Sequence, residues 1–341
     1  MLDVTQPPRP GPAQRVSVPT LSPSSKLYFG TEAGGSALLL AATVLALAWA
    51  NSPWSDSYAS FWSIRATIGV GDLRLSLDLR HWVNDAAMAL FFLVVGLEIT
   101  REISVGELRD RRNVAAPALG ALGGLTVPAA IYLAFNPSGP ASGGWGIVMS
   151  TDTAFVLGIL ALFGPRCPDR LRLFLLTLAI VDDIGAITVM ALFYTDDVHV
   201  GALVVAALLV AVLAGLRWAG VWRLTPYMLV GIALWLAIQA SGVHPTLAGV
   251  LVGLLLPARP PHPDVVERTR EYGQALREAP DAERARLAAL SVHATVPAGA
   301  RLLLVLHRWT AYVVVPVFGL ANAGVTLDAD TLRTAATSPV T

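Results

Sequence analysis

Two stretches set carboxylates among apolar residues: Ser150-Thr151-Asp152-Thr153-Ala154-Phe155 and Leu178-Ala179-Ile180-Val181-Asp182-Asp183-Ile184-Gly185-Ala186-Ile187. An ionised carboxylate at mid-bilayer costs roughly 2.5 to 3.5 kcal/mol, so three cost on the order of 8 to 10 kcal/mol if unpaired. A bound cation or a proton offsets that most cheaply. Adjacent helical residues point about 100° apart, so Asp182 and Asp183 cannot both face one small ligand and must differ in role. Asp152 follows Gly143-Gly144 and is flanked by Thr151 and Thr153, a poor helical stretch. Unwound chain at that depth is tolerated only where it faces a cavity or packed protein. Freed carbonyls, the Thr151 hydroxyl and the carboxylates make an oxygen-only site, which suits a hard cation such as Na⁺ or Li⁺; neither stretch offers Cys or His for a transition metal. Carboxylates within a few ångströms of each other also repel, so protons compete with the cation for the same oxygens. Competition of that kind is exchange. The alternative, a buried polar network that only holds helices together, is the weaker reading, because intramembrane acids are functional by default.

The elements around these residues are those of a membrane protein. The 341 residues are 55% hydrophobic and 14% charged, with a mean hydropathy of +0.61, whereas soluble domains carry about 25% charged residues. Net charge is zero, so nothing in the balance points to nucleic acid. The single cysteine, Cys167, excludes an intramolecular disulfide and argues against a metal or redox motif.

Residues 1 to 29, rich in Pro and Ser, read as a disordered cytoplasmic tail. An apolar run from Leu38 to Ala50 ends in Ala48-Trp49-Ala50; despite its likeness to a cleavage site it reads as a retained first helix. Further apolar runs lie near 83–103, 114–134, 146–163, 171–194, 201–216, 226–241, 243–257 and 309–326, which predicts about nine helices. Several fall short of the roughly 20 residues that cross a bilayer, so some are tilted, short or broken. With the N-terminus inside, the inner loops hold Arg101, Arg109, Arg111 and Arg112, then Arg166, Arg170 and Arg172, then Arg217 and Arg223, then a cluster from Arg259 to Arg308. The outer loops hold only Arg65, Arg74, Arg80 and Arg333, as the positive-inside rule requires. Residues 64–79 alternate apolar and polar around Gly69-Val70-Gly71-Asp72, an outer β-hairpin that needs a partner, such as a second copy of the chain. Residues 258–306 are a polar insertion in which Val265, Thr269, Tyr272 and Leu276 recur at helical spacing and Pro280-Asp281 breaks one helix and starts another. This predicts a cytoplasmic helical hairpin, and residues 331–341 form a C-terminal tail.

Asn84-Asp85 falls near the outer end of the second helix and Glu98, Arg101 and Glu102 near its inner end. Asp85 either lines the access route or caps the helix; the other three form either a helix-end ion pair or something functional. His244, His293 and His307 are candidate pH sensors because imidazole titrates near neutrality.

Asn84-Asp85-Ala86-Ala87-Met88-Ala89-Leu90-Phe91-Phe92-Leu93-Val94-Val95-Gly96-Leu97-Glu98, Thr151-Asp152-Thr153-Ala154-Phe155, the Asp182-Asp183 stretch, Ser241-Gly242-Val243-His244-Pro245-Thr246-Leu247-Ala248-Gly249 and Ala321-Asn322-Ala323-Gly324-Val325 together resemble the NhaA family of bacterial sodium/proton antiporters. The resemblance runs from about residue 30 to the end. It implies an all-α, NhaA-like fold with a broken helix and inverted repeats, and Na⁺ bound at Asp183, Asp152 and Thr151, with Asp183 and Asp152 carrying cation and proton. Asp182 becomes the neighbouring acid that pairs with a lysine in the family. Glu98, Arg101, Glu102, Arg301 and His307 match positions of the cytoplasmic pH-sensing region, with Leu303 and Leu304 where a Glu-His pair is expected, and the 64–79 hairpin matches the one through which members dimerise. Family members have twelve helices; the last three, with the lysine and the second broken helix, have no counterpart in the sequence, whose only lysine is Lys26.

The expectation is therefore a secondary transporter of the bacterial inner membrane that exchanges Na⁺ or Li⁺ for H⁺ by alternating access, without a cofactor. The competing readings are an inactive or partial fragment of such a carrier, a sodium-coupled symporter, and an intramembrane aspartyl protease. The protease needs Gly-x-Gly-Asp, whereas Ala179-Ile180-Val181 precedes Asp182; the symporter needs an aromatic or Arg cluster at the midplane.

Overall fold

The computed structural model describes residues 24–70, 73–105, 111–149, 169–193, 199–258, 263–327 and Arg333. Thr151 and Asp152 lie outside the described residues. The first helix, α1 (Ser24–Ala50), is Leu- and Ala-rich and free of proline, and α2 (Ser55–Trp62) turns away from it by 117°. A hairpin follows, β1 (Arg65–Val70) and β2 (Leu73–Asp78), antiparallel with Arg65 opposite Asp78, where the alternation of residue types placed it. The chain continues through Leu79–His81, a π-helical turn Trp82–Ala87 and α3 (Met88–Val105). Next come α4 (Arg111–Phe135), a 3-10 helix Pro140–Met149, α5 (Asp169–Phe193), α6 (Val200–Trp218), α7 (Leu224–Ser241) and the short α8 (Thr246–Leu255). The polar insertion is a pair of helices, α9 (Pro263–Glu278) and α10 (Ala282–Thr295), joined at Asp281, whose Oδ1 accepts from the Arg284 N–H at 2.7 Å. Last are α11 (Ala298–Trp309), a second π turn Thr310–Val314, and α12 (Val315–Asn322).

Among the described residues, five helices are long and apolar enough to cross a membrane, or six if the bent pair at Gly34–Trp62 is one span. Of the nine apolar runs of the sequence, the one at 243–257 forms the 10-residue α8, and most of the 146–163 run lies outside the described residues.

The main core gathers Leu93, Val94 and Leu97 of α3, Leu213 of α6, Tyr227, Leu234 and Ile238 of α7, Val252 of α8 and Leu303 of α11. Within it α3 and α8 run in the same direction with their backbones touching: Gly249 lies against Ala89, and Gly253 against Leu93 and Gly96. The Thr100 hydroxyl ties the two helices by donating to the carbonyls of Gly96 at 2.9 Å and Gly253 at 3.1 Å. A second cluster, Ala46, Ala50, Tyr58, Trp62 and Ala321, seats α1 and α2 on α12, where the Tyr58 hydroxyl reaches the Leu320 and Ala321 carbonyls at 2.9 and 3.0 Å. Because Gly299 at the start of α11 lies by Leu97 and Pro257 while Asn322 at the end of α12 lies by Asn84, the β-hairpin and the α9–α10 pair stand at opposite ends of the bundle.

At the hairpin end, Asp78 caps the helical run that starts at Leu79, its Oδ1 accepting from the His81 backbone N–H at 2.8 Å and lying 2.7 Å from His81 Nδ1. The backbone hydrogen bond first, and the imidazole second, hold the Asp78 carboxyl below its ordinary value. A depressed carboxyl stabilises above the unfolded-state value of about 4 and loses that contribution as pH falls through its folded value. The group is close to solvent, so the effect is small: Asp78→Ala is expected to cost about 1 kcal/mol near neutral pH. A thermal-melt series from pH 7 down to about 3 should show wild type and variant converging only at the acid end.

Candidate functional site

The acid pair lies midway along α5, and small residues let α4 come close to it. Gly185, two residues beyond Asp183, faces Leu125 so tightly that a Cβ there would overlap the leucine side chain, and Gly120 faces Leu178. Asp182 is 3% exposed, and among the described residues neither of its carboxylate oxygens has a hydrogen-bond partner. A carboxyl so placed costs free energy in either protonation state and creates a demand for a positive group or donor. Asp183 is half-buried and is held in at least one polar or electrostatic interaction. The two acids thus occupy different environments, as their 100° separation predicts.

The chain reaches this seam from the other side through the 3-10 helix. Met149 joins Leu125 and Ala129 of α4 in an apolar cluster with Trp145 and Val189 of α5, and the Tyr132 hydroxyl holds the Ala141 carbonyl at 2.8 Å. Six residues of helix separate Val189 from Asp183, about 9 Å. Met149 is the last described residue before the Ser150-Thr151-Asp152 stretch.

The other predicted positions fall into two groups at opposite ends of the bundle. At one end Arg101, on the last turns of α3, lines a cavity of about 240 Å³ with Leu97, Ala258, Pro297, Gly299, Ala300 and Leu303. Glu98 and Glu102 are half-buried beside it and each is engaged in an interaction. Arg301 donates to the Trp222 carbonyl at 3.3 Å while its Nε is buried without a partner among the described residues. His307 lies half-buried on the last turn of α11, and Leu303 is 8% exposed against 76% for Leu304. Neither leucine can titrate, so among the described residues the ionisable side chains at this end include Arg101, Arg301, the two glutamates and His307. At the other end Asp85 is half-buried on the π turn, and His244 is exposed on the α7–α8 connection.

Around Asp85 the structure adds residues that the sequence reading passed over. The Trp235 indole N–H donates to the Asp85 carbonyl at 3.0 Å, the Gln239 amide nitrogen lies 3.5 Å from Asp85 Oδ2, and Trp82 stacks on Trp235. Asn84 and Asn322 exchange side-chain hydrogen bonds at 2.8 and 3.3 Å. A signal for Gln239 was available: it is the only amide side chain in Leu224–Ser241, an apolar span where a polar group needs a partner.

The chain as a whole is similar to known proteins. Residues 26–341 match the family described as Na⁺/H⁺ antiporter 1. The chain belongs to that family. It is 63% identical over all of its 341 residues to the Na⁺/H⁺ antiporter NhaA 3 of Frankia alni, covering 74% of that protein. It is 47% identical over 311 residues, 91% of this chain, to the Na⁺/H⁺ antiporter NhaA 1 of Mycobacterium sp. strain JLS, of which it spans 51%. The NhaA antiporter of Oleidesulfovibrio alaskensis is 46% identical over 334 residues, with 94% of this chain and 74% of that protein covered. The chain thus spans from about half to three quarters of the length of these relatives. As an NhaA-family member it is a multi-pass membrane protein and a transporter, not an enzyme, and the family uses no cofactor. The antiporter reading prevails over the protease and the symporter.

Proposed function

We propose that this chain exchanges Na⁺, or Li⁺, for H⁺ across the bacterial inner membrane by alternating access. The observation that carries the reading is the acid pair of α5, with Asp182 3% exposed and its oxygens unpartnered among the described residues. Asp183 and Asp152 take the cation, with Thr151 lining the site, and release protons as it arrives; Asp182 sets the local charge. Exchange follows because one set of oxygens cannot hold both at once, and moving the loaded site from one side to the other couples the two fluxes. Glu98, Arg101, Glu102, Arg301 and His307 form the inner mouth and set the pH at which the site opens, while Asp85 and His244 line the outer one. Arginine distribution supports an inside N-terminus and an inside α9–α10 insertion, with the β-hairpin outside. The free edges of the two-stranded sheet support a homodimer formed by pairing hairpins. Residues 30–330 form the transporter unit, and about nine helices, one of them broken at Thr151-Asp152, supply its membrane part.

The test is proton flux in proteoliposomes that contain the 341-residue chain and an internal pH-sensitive dye. Added Na⁺ or Li⁺ is expected to evoke a flux that choline does not. Folded protein that responds to neither cation overturns the reading.

A further inference from the structure

The contact between Asp85 and Gln239 is unfinished. Asp85 Oδ2 and the Gln239 amide nitrogen are 3.5 Å apart, at the outer limit of a hydrogen bond, and the other half of the amide, Oε1, is buried without a partner among the described residues. A purely structural glutamine in an apolar helix would use both ends of its amide, since each buried polar atom left unpaired costs about 1 to 3 kcal/mol. The surroundings are rigid: the π turn, the Trp235 bond to the Asp85 carbonyl at 3.0 Å and the Trp82–Trp235 stack at 6.2 Å hold α3 and α7 at this spacing.

We infer that Asp85 and Gln239 form a second, outer cation subsite that takes Na⁺ or Li⁺ between the Asp85 carboxylate and the Gln239 amide oxygen. The two ends of an amide have the same shape, so a half-turn about its last torsion brings Oε1 to the position of the nitrogen. The carboxylate and amide oxygens then stand about 3.5 Å apart. Ca²⁺, which is close to Na⁺ in radius, holds oxygens at roughly 2.3 to 2.6 Å, and two such ligands at right angles are separated by roughly 3.3 to 3.7 Å, a spacing that suits Na⁺ better than the smaller Li⁺. The spacing therefore fits two adjacent corners of one coordination shell. Water completes the shell, because Asp85 is half-exposed at the end of its helix. A single carboxylate with one amide binds weakly and releases fast, which suits a relay at the mouth rather than a resting site. The imidazoles that act electrostatically on Asp85 are His81 and His244, and Asp78 is the neighbouring acid.

The choice of cation rests on the exchange reading, but the site is tested apart from transport. The full chain carrying Asp183→Asn, which disables the midplane acid, is titrated with NaCl against choline chloride at constant ionic strength and about pH 8.5. Tryptophan fluorescence is the readout, since Trp235 bonds to Asp85 directly. A saturable Na⁺-dependent change is expected. It should disappear on adding Asp85→Asn and move to at least about tenfold higher Na⁺ with Gln239→Leu; Gln239→Glu, which supplies a second carboxylate, should lower the midpoint about tenfold. Circular dichroism confirms folding of each variant. A titration unchanged by Asp85→Asn, or absent from folded protein, or unmoved by Gln239→Glu, overturns the subsite. Binding at Asp85 together with no flux from the folded wild-type chain upholds the subsite and overturns exchange alone.

Discussion

Asp183→Asn is expected to abolish Na⁺-evoked proton flux, down to the level of protein-free liposomes. An amide keeps the shape and one oxygen of the carboxyl, but it loses the negative charge that binds the cation and cannot take up or release the exchanged proton. Asp152→Asn is expected to have the same outcome for the same reason. Asp182→Asn separates the roles. Its carboxylate is 3% exposed and has no hydrogen-bond partner among the described residues, so converting it removes a group that is expensive to bury. The expected result is reduced but measurable exchange with a chain at least as stable as wild type, by about 1 to 3 kcal/mol. Dye-monitored flux and melts of the same preparations read both quantities. Equal flux for wild type and Asp183→Asn would sink the assignment of the site.

What could be read from the sequence is what depends on local pattern. Residues 64–79 alternate in type, and the hairpin pairs Arg65 with Asp78 and Val70 with Leu73. Pro280-Asp281 divides the insertion as expected because Asp281 caps the next helix through its own side chain. The acids of α5 were conspicuous because charge in an apolar run has a known cost. Features set by contact between distant segments stayed hidden. The π turn at Trp82–Ala87 has no composition of its own; there the Asp85 carbonyl is taken by Trp235, 150 residues away. Gln239 was one amide among apolar residues until α3 stood beside it. The depth of α8 was not legible either, since hydropathy gives a run of apolar residues no limit on depth and α8 has only 10 residues where it lies against α3.

That contact between α3 and α8 is where one methyl group should do the most damage to the fold. Gly249→Ala is expected to lower the apparent melting temperature in detergent by about 5 °C or more and to abolish exchange with it. A Cβ on Gly249 would run into the Ala89 carbonyl oxygen and come within 2.9 Å of the Leu93 nitrogen, distances that real side chains do not adopt. The obstacle is backbone on both sides, so no rotamer change relieves it and the helices must separate. Gly96 and Gly253 would meet carbonyl oxygens at 2.6 and 2.7 Å, so the seam has no slack along its length. Separation also pulls the Gly253 carbonyl away from the Thr100 hydroxyl, a 3.1 Å bond in the core, and in an apolar interior a lost partner is not replaced by water. The matching control has the opposite sign. Gly215 lies on an exposed face of α6 with nothing within 4 Å of the added methyl, so Gly215→Ala gains helix propensity of up to about 1 kcal/mol at no packing cost. If Gly249→Ala melts like Gly215→Ala, the two helices do not pack backbone to backbone, and the register that places Asp85 at one end of α3 and Arg101 at the other has to be redrawn.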